Sequence, residues 1–401
     1  MYIVVYFGEF FVMRQGYNNN NLKYRNRGIV LQLIATEPIY RADITKKIGL
    51  TRMAISNIVG ELIQEGYIVE KEFEEKGSIG RNPILLDISP TSPLCVGLYI
   101  SREFLYVVLS DIKLNSLYLD KVKLINENEE SLVSKIYMVL DGLFNFYNEK
   151  FNNRAILGIG VSCIGPFDPV ECVLLNPRDF FGISNLSIKE VIQKKYPYSV
   201  FGANDMNGAA LAESLMGCGQ EFNNFLYLGI THGIGSGVIV NKRLYGRESI
   251  SSGELGHMTI DYNGNLCTCG KKGCLETYAT IPNIINRLQE KCGCENICPE
   301  DFESLCLDPC CDEVFCDVTE KLSIALVNAV NMLDPEAIIV GHEGAFLPEK
   351  YLHVLRDKID EQILSAGYKN VKVLTSAFLN YAPLFGSCAI ILNRLFLGEN
   401  L

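Results

Sequence analysis

The sequence contains no apolar run long enough to span a lipid bilayer, which argues against an integral membrane protein. The apolar start, Ile3 to Met13, is short, contains Glu9 and follows no basic region, so a cleavable signal peptide is not expected either. Internal repeats and low-complexity segments do not stand out, except for Asn18 to Asn21, which we expect to form a loop before the first helix. We expect a cytoplasmic protein in which residues 1–21 are an N-terminal extension. The alternative is that the apolar start results from an upstream start choice, with Met13 as the alternative initiator.

The composition is that of a protein with several folded domains. The chain has 401 residues, of which 48% are hydrophobic, and this is enough to build two or three domains with cores of their own. Its 15 cysteines would suit a secreted disulfide scaffold. Because no signal peptide is visible and cysteines gather around one metal-binding motif, a reducing compartment is the better interpretation.

That motif begins at Gly253-Glu254-Leu255-Gly256-His257 and continues at Cys267-Thr268-Cys269-Gly270-Lys271-Lys272-Gly273-Cys274-Leu275-Glu276. One imidazole and three closely spaced thiols complete a tetrahedral ligand set for a structural Zn²⁺. The predicted ligands are His257, Cys267, Cys269 and Cys274. The alternative, in which the cysteines are small buried hydrophobic residues, explains neither the histidine nor the glycines that allow a tight turn.

The pattern ExGH followed by CxCGxxGCxE resembles the signature of the ROK family (repressors, open reading frames and sugar kinases), and the resemblance extends from about Asn21 to the C-terminus. It implies that the His and the three Cys hold zinc, and that Glu254, His257 and Glu276 contact the hydroxyl groups of a sugar. This arrangement is physically reasonable, because a loop held in place by zinc can present carboxylates to a vicinal diol with little loss of conformational entropy.

Charge is distributed unevenly along the chain. The net charge is −11, which by itself argues against a nucleic-acid partner. Between Arg14 and Arg52, however, there are eight basic and two acidic residues. An acidic body with a basic N-terminal module is typical of a regulator that contacts phosphates at one end only.

The basic segment also carries three apolar periodic stretches. Residues 28–34 and 41–48 read as two helices, Gly49-Leu50 as a turn, and Thr51 as the cap of a third helix that runs to Glu65. The expected buried face of that helix consists of Ile55, Ile58, Val59, Leu62 and Ile63. Strands at residues 67–70 and 83–87 would supply a wing, so residues 22–90 are predicted to form a winged helix-turn-helix.

In that fold the third helix enters the major groove of DNA. The predicted DNA contacts on it are Thr51, Arg52, Met53, Ser56 and Asn57. The repressors that this chain resembles carry a GRRP-like sequence in the wing, whereas the chain has Gly80-Arg81-Asn82-Pro83, so only Arg81 is expected to contact DNA there. The alternative is a three-helix unit that mediates protein contacts alone.

From Leu94 onward, apolar strands alternate with helical stretches, which predicts an α/β domain over residues 91–401. Strands are expected at 96–100, 104–109, 156–161, 225–228 and 338–340, and helices at 129–143 and 319–332. The resemblance implies the two-lobed actin-like fold of sugar kinases and heat-shock ATPases, with ligands in the cleft between the lobes.

Sugar kinases of this family open with a DxGGT loop, whose glycines let backbone N–H groups approach the phosphates of ATP. Here Tyr99 replaces the Asp, and Ser101 and Arg102 replace the two glycines. His342 replaces a second family glycine on the nucleotide side. These replacements predict that the protein is not an ATP-dependent enzyme.

Two other motifs do not decide between a sugar kinase and a regulator that only binds sugar. Gly229 to Gly237 resembles the family's second phosphate loop, GTGxGxG, but can equally be a structural hairpin. Asn204-Asp205 matches a motif whose Asp is the general base in the kinases and is also suited to bind sugar hydroxyls. Asn204 and Asp205 are therefore predicted sugar contacts, and Asp205 is catalytic only if the protein is a kinase.

A second group of cysteines lies between Cys292 and Cys316. A second zinc site or a redox site is conceivable there, but no histidine lies among these cysteines and small structural side chains are the preferred interpretation.

Together these features predict a sugar-responsive transcription regulator, most simply a repressor of carbohydrate-metabolism genes. It would bind operator DNA as a homodimer or higher homo-oligomer and leave it when a sugar enters the cleft beside the zinc. The first alternative is an ATP-dependent sugar kinase with an appended DNA-binding module. The second is a regulator controlled by a protein partner instead of a sugar.

Overall fold

The structure is a computed structural model, and it describes residues 19–72, 84–293 and 295–399. None of the helices in these ranges is both long and apolar enough to cross a membrane. Three units follow one another along the chain: an N-terminal unit of helices with a small sheet, and two α/β lobes.

The N-terminal unit packs three helices against a three-stranded antiparallel sheet of order β1-β3-β2. Its elements are α1 (Asn19–Thr36), β1 (Ile39–Tyr40), α2 (Arg41–Ile48), α3 (Arg52–Gln64), β2 (Ile68–Glu72) and β3 (Ile84–Ile88). Gly49 ends α2 in the left-handed conformation, at φ 69°, and the Thr51 side chain caps α3 by accepting a hydrogen bond from the N–H of Ala54. The turn between β2 and β3, where Arg81 falls, lies outside the described residues.

The sequence predicted α2 and α3 closely and α1 only in part. Helix α1 begins at Asn19, well before the predicted start at Gly28, so the loop expected up to Asn21 is wrong from Asn19 onward. The sequence did not indicate these first turns because they carry charges instead of an apolar stripe. Two of those charges pair with α3: Lys23 Nζ lies 2.7 Å from Glu61 Oε1, and Arg27 donates to Glu65 at 2.8 Å. Ile63, predicted on the buried face of α3, is 37% exposed, which corrects that expectation.

The first lobe is built on a five-stranded sheet of order β11-β7-β4-β5-β6. Its elements are β4 (Leu94–Ile100), β5 (Phe104–Ser110), β6 (Ser116–Lys123), α4 (Glu129–Lys150), β7 (Ile156–Cys163), β8 (Phe167–Asp168), β9 (Val173–Leu174), β10 (Leu186–Ser187), α5 (Ile188–Gln193), β11 (Val200–Asn204) and α6 (Asp205–Met216). Strands β4, β5 and β6 form an antiparallel meander, and β7 and β11 continue the sheet in parallel.

The second lobe repeats this topology with the order β14-β13-β12-β15-β16. Its elements are β12 (Phe225–Ile230), β13 (Ile234–Val240), β14 (Arg243–Leu244), α7 (Glu276–Ala279), α8 (Ile281–Cys292), α9 (Phe302–Leu305), α10 (Pro309–Leu333), β15 (Ala337–Gly341), α11 (Glu349–Gln362), β16 (Lys372–Thr375) and α12 (Ala382–Phe396). Again a three-stranded antiparallel meander is followed by two parallel strands. The predicted strands are present, whereas α4 and α10 are longer than their predicted segments.

Helices α6 and α12 lie between the two sheets. Helix α6 contacts β12 and β13 of the second sheet, and α12 contacts β4 and β7 of the first. The two helices cross at Gly208 and Gly386, where a Cβ added to Gly386 would lie 2.3 Å from the carbonyl carbon of Gly208. The apolar core around this crossing is continuous with the core of the N-terminal unit, so that unit is packed on the lobes.

Candidate functional site

A cleft of about 1050 Å³ lies between the lobes and is lined by residues of both. The five predicted sugar contacts all line it: Asn204, Asp205, Glu254, His257 and Glu276. Asn204 and Asp205 stand where β11 ends and α6 begins. Glu254 and His257 lie in the segment between β14 and α7, and Glu276 is the first residue of α7. The fold therefore brings together residues that are far apart in sequence.

Asp205 is the first residue of α6 and is buried. The side chain of Asn204 caps the helix by accepting the N–H of Met206 at 3.0 Å. Burial raises the pKa of the Asp205 carboxyl to about 7, although the Met206 N–H and the nearby charge of Arg102 favour the ionised form. A carboxyl with such a pKa can accept hydroxyl hydrogen bonds and can also accept a proton near neutral pH.

Glu254 and Glu276 flank the predicted metal loop on either side. Glu254 lines the cleft. Desolvation by the surrounding protein raises the pKa of its carboxyl; the charge of His257 lowers this pKa, and the charge of Glu276 raises it. Glu276 Oε2 accepts the N–H of Ile234 at 3.1 Å. A Cβ on Gly233 would lie 3.0 Å from the same oxygen, so a glycine there lets the carboxylate approach the backbone.

The four predicted metal ligands form a compact cluster. Their ligand atoms all lie within 4.8 Å of one another, with 3.7 Å between Cys267 Sγ and His257 Nδ1 and 3.6 Å between Cys269 Sγ and Cys274 Sγ. Bonds of about 2.0 to 2.3 Å to a tetrahedral zinc imply ligand separations of roughly 3.4 to 3.8 Å. The donor set and its spacing therefore fit Zn²⁺.

Glycines shape the loop that carries these thiols, as the sequence predicted. Gly270 has φ 89° and Gly273 has φ 68°, a region that favours glycine. A Cβ on Gly273 would lie 1.7 Å from the carbonyl oxygen of Asp261. The N–H of Cys267 donates to the Lys271 carbonyl at 2.7 Å and closes the turn.

In the ranges 19–72, 84–293 and 295–399, this cluster is the one group of three or more His, Cys, Asp or Glu side chains close enough to share an ion. In the second cysteine group, Cys306 and Cys311 are buried, Cys298 and Cys316 are exposed, and Cys294 lies outside the described residues.

The positions that were predicted to depart from the kinase pattern make specific contacts. The Tyr99 hydroxyl lies 3.0 Å from Nε2 of His342, and the Tyr99 ring stacks on Tyr106 with centroids 5.7 Å apart. Ser101 Oγ closes the following turn by accepting the Phe104 N–H at 2.9 Å. Arg102 lines the cleft and donates to the backbone carbonyl of Arg178.

The glycine-rich segment 229–237 forms the β12–β13 hairpin. Three of its glycines face Met206 at the start of α6, at distances where a Cβ would clash: 2.1 Å from Sδ for Gly229, 2.8 Å from Cγ for Gly235 and 2.4 Å from the carbonyl oxygen for Gly237. Close packing of α6 on this hairpin therefore accounts for these three glycines. Thr231 and Gly233, at the hairpin turn, line the cleft.

The predicted DNA contacts lie together on the N-terminal unit. Thr51, Arg52, Met53, Ser56 and Asn57 are all exposed, at or near the start of α3. Met53 is 77% exposed although it is apolar. The remaining predicted contact, Arg81, lies outside the described residues.

Some cleft residues were not found from the sequence. His232 and Glu103 reach toward each other from the two lobes, with 3.5 Å between Nε2 and Oε1, and Arg178 joins Arg102 at the same end. His232 lies within the glycine-rich segment 229–237 and Glu103 directly follows Arg102, but neither motif indicated that the two side chains meet, and Arg178 belongs to no recognised motif.

Comparison with known proteins gives consistent similarities. The family described as "ROK family" matches residues 95–394. The xylose repressor of Caldicellulosiruptor bescii is 28% identical over 395 residues, covering 94% of this chain and 97% of the repressor. A crystal structure of a ROK family transcriptional regulator, a homologue of the Escherichia coli Mlc protein, superposes with a TM-score of 0.79 at 26% identity and covers 94% of this chain and 98% of that one.

A solved kinase also shares the fold. The ROK hexokinase of Thermus thermophilus superposes with a TM-score of 0.62 at 24% identity and covers 74% of this chain and 97% of its own. The relatives named as regulators thus match nearly the whole chain, whereas this kinase leaves about a quarter of it without a counterpart.

Proposed function

The chain belongs to the ROK family, and we propose on that premise that it is a sugar-responsive, DNA-binding transcription regulator, most simply a repressor of carbohydrate-metabolism genes. The observation that carries the proposal is the convergence of Asp205, Glu254 and Glu276 on one cleft beside a His/Cys₃ cluster. The full-length similarity to proteins named xylose repressor and to a Mlc-like regulator supports the same function.

We assign DNA binding to residues 22–90 as a winged helix-turn-helix, and sugar binding to residues 91–401 as a two-lobed actin-like domain. Helix α3 would enter the major groove with its exposed N-terminal residues, and Arg81 would contact the DNA backbone or minor groove. A homodimer or higher homo-oligomer would place two such helices on the two halves of an operator.

In the cleft, we assign the carboxylates of Asp205, Glu254 and Glu276, the amide of Asn204 and the imidazole of His257 to sugar hydroxyls. A carboxylate that accepts hydroxyl hydrogen bonds makes stronger contacts than a neutral acceptor. Zinc held by His257, Cys267, Cys269 and Cys274 would fix the position of the loop that carries these ligands. Sugar binding would then release the protein from its operator.

The second candidate is an ATP-dependent sugar kinase with an appended DNA-binding unit. It is favoured by Asp205, whose pKa of about 7 suits a general base. Against it stand the side chains of Tyr99, Ser101 and Arg102, which occupy the positions of the phosphate loop. A third candidate, control by a protein partner, would leave DNA affinity insensitive to free sugar.

The deciding experiment is a thermal-shift screen of the purified protein against monosaccharides, D-xylose included. A ligand at a hundred times its dissociation constant should add about 2.7 kcal/mol of stability. The sugar found should then change the affinity for DNA without being phosphorylated in the presence of ATP and magnesium. Phosphorylation of the sugar would favour the kinase, and a failure of every sugar to bind would favour the protein partner.

A further inference from the structure

A bidentate ion pair ties the loop beside the cleft to the C-terminal end of the chain. Arg247 Nη1 lies 2.6 Å from Glu399 Oε1, and Nη2 lies 2.9 Å from Oε2. Arg394 Nη2 reaches Glu399 Oε2 at 3.1 Å. The three side chains are only about one third exposed, between 29% and 34%, so the pair is partly shielded from water.

On the side of the cleft, Arg247 belongs to a loop whose later residues line the cavity. Ile250, Ser251, Ser252, Gly253 and Glu254 are among the lining residues. The N–H of Ser249 donates to the Gly246 carbonyl at 2.8 Å, and the N–H of Ser236 donates to the Gly253 carbonyl at 2.9 Å. Ser252 Oγ also donates to the Gly246 carbonyl, at 3.4 Å, which closes the turn between the two ends of the loop. A displacement of Glu254 by a ligand would therefore move Arg247 with this turn.

On the other side, Glu399 is joined to a segment that lies directly on α1. A Cβ on Gly398 would lie 2.5 Å from the carbonyl carbon of Tyr24, and one on Gly28 would lie 2.1 Å from the carbonyl oxygen of Phe396. These are contacts of backbone with backbone, so α1 cannot keep its place if the segment 396–398 moves.

Helix α1 is in turn tied to α3, which presents the exposed residues assigned to DNA. Lys23 pairs with Glu61 at 2.7 Å, and Arg27 donates to Glu65 at 2.8 Å. From Arg247 to α3, the non-covalent links are ion pairs, hydrogen bonds and close backbone contacts between described residues.

We propose that the Arg247–Glu399 ion pair couples the cleft to the N-terminal unit, so that a ligand beside Glu254 changes the position of α1 and with it that of α3. Neither residue lines the cleft or lies on α3, so the pair acts by positioning and not by binding. The proposal rests on the proposed function, because it assumes a ligand in the cleft and DNA at α3. It adds the physical connection between the two sites.

The test separates coupling from binding. The full-length protein and its variants Glu399→Gln and Arg247→Gln are titrated with a DNA duplex that the wild type has selected from a random library, with and without D-xylose or whichever monosaccharide stabilises the wild type. The matched control is Glu313→Gln, which removes an ion pair of 2.5 Å with Lys291 away from this path.

In the wild type, sugar should change DNA affinity about 5- to 150-fold. In Glu399→Gln and Arg247→Gln this factor should fall to about twofold or less, while each ligand alone binds within about threefold of the wild type, because the coupling is a free energy separate from either affinity. Glu313→Gln should keep the full factor. The proposal is wrong if sugar changes DNA affinity in both ion-pair variants by the same factor as in the wild type. It is also wrong if Glu313→Gln reduces this factor as much as they do.

Hydrogen exchange gives a readout that needs no DNA. Sugar should change amide exchange in α1 of the wild type, and this change should be absent in Glu399→Gln. If sugar binds and exchange in α1 does not respond, the coupling proposal is wrong while sugar binding stands. If no sugar binds the wild type at all, the proposed function is wrong, and the coupling proposal, which assumes a ligand in the cleft, is wrong with it.

Discussion

The hydroxyl group of Tyr99 and Nε2 of His342 form a 3.0 Å hydrogen bond that joins the two lobes across 243 positions of sequence. Nδ1 of His342 accepts the N–H of Glu343 at 3.0 Å, and the enclosure of the imidazole lowers its pKa to about 4. The ring is thus neutral near pH 7, its proton is on Nε2, and it donates to the tyrosine oxygen. Both residues were predicted from the sequence to replace nucleotide-site residues of the family's kinases, so two predicted departures from that pattern contact each other.

Removing this hydrogen bond should destabilise the protein without creating an enzyme. In Tyr99→Phe, Nε2–H of His342 loses its acceptor, and the free energy of unfolding should fall by about 1 to 3 kcal/mol. Urea denaturation measures the loss, with Tyr381→Phe, at a tyrosine that is 39% exposed, as the control. Neither variant nor the wild type should phosphorylate a sugar with ATP and magnesium. Sustained phosphorylation that disappears in Asp205→Asn would support the kinase instead.

The proposed zinc site predicts how much metal the protein contains. The isolated protein should contain about one zinc per chain, because three thiolates and one imidazole complete the tetrahedron. Cys269→Ser should lose that zinc, whereas Cys316→Ser, at an exposed cysteine of the second group, should keep it. Elemental analysis of the purified proteins measures the zinc content per chain. Full zinc occupancy in Cys269→Ser would exclude Cys269 as a ligand, and a second equivalent in the wild type would point to the second cysteine group.

The raised pKa of Asp205 predicts a pH-dependent stability. Its carboxyl has a pKa of about 7 in the folded protein against 3.8 ordinarily, so between these values the folded chain holds a proton that the unfolded chain has released. Asp205 therefore lowers the free energy of unfolding progressively as the pH rises from about 4 to about 7. Asp205→Asn should be more stable than the wild type at about pH 8, by on the order of 2 to 4 kcal/mol, and nearly equal to it at about pH 4. If the difference in stability between Asp205→Asn and the wild type did not change with pH, the pKa of Asp205 would not be raised in the folded protein.

The same substitution should weaken sugar binding. In Asp205→Asn the side-chain amide would offer the sugar a neutral acceptor in place of an ionised one, and charge-assisted hydrogen bonds are the stronger. Calorimetric titration of the wild type should show affinity rising as the pH increases through about 7, because the ionised form is then populated. A wild-type affinity that is constant over this range would separate Asp205 from the ligand.

DNA binding should depend on the start of α3. Arg52→Ala should cost about 1 to 3 kcal/mol of operator affinity and leave sugar binding unchanged, since side chains at this end of a recognition helix reach base edges or phosphates. Arg287→Ala on α8 is the control for loss of one positive charge. If operator affinity survives the combined replacement of Arg52, Ser56 and Asn57 by alanine, α3 is not the recognition helix.

Two helical glycines should respond in opposite directions to alanine. Gly60 in α3 has open space around its Cα, so Gly60→Ala should stabilise the protein by about 0.5 to 1 kcal/mol. Gly28→Ala would place a methyl group 2.1 Å from the Phe396 carbonyl oxygen and should destabilise by about 1 to 3 kcal/mol. Denaturant unfolding of both variants makes the comparison, and a stabilising Gly28→Ala would show that α1 does not rest on the C-terminal segment.

The sequence predicted those parts whose determinants are local. Helix α3 has a capping Thr51 and an apolar stripe within one stretch, and the metal loop places three thiols and two turn glycines within a few residues of one another. The first turns of α1 could not be predicted in this way, because Lys23 and Arg27 are held by acids of α3 that only the tertiary fold brings close.

Sequence patterns could not predict long-range contacts either, because only the tertiary fold brings the partners close. Tyr99 and His342 were each recognised as departures from a motif, but nothing in their neighbours indicated that they touch. Glu399 follows α12 in a short stretch with no periodicity, and its ion pair is with Arg247, which is 152 residues away.

The crossing of α6 and α12 at Gly208 and Gly386 also limits how the cleft can open. Since the two backbones touch without intervening side chains, a movement that preserves this contact cannot pull the lobes apart. It can only turn one lobe about the crossing, which then serves as a pivot. The width of the cleft would then depend on the angle between the lobes. Small rotations at the pivot would produce larger displacements at the distant rims of both lobes.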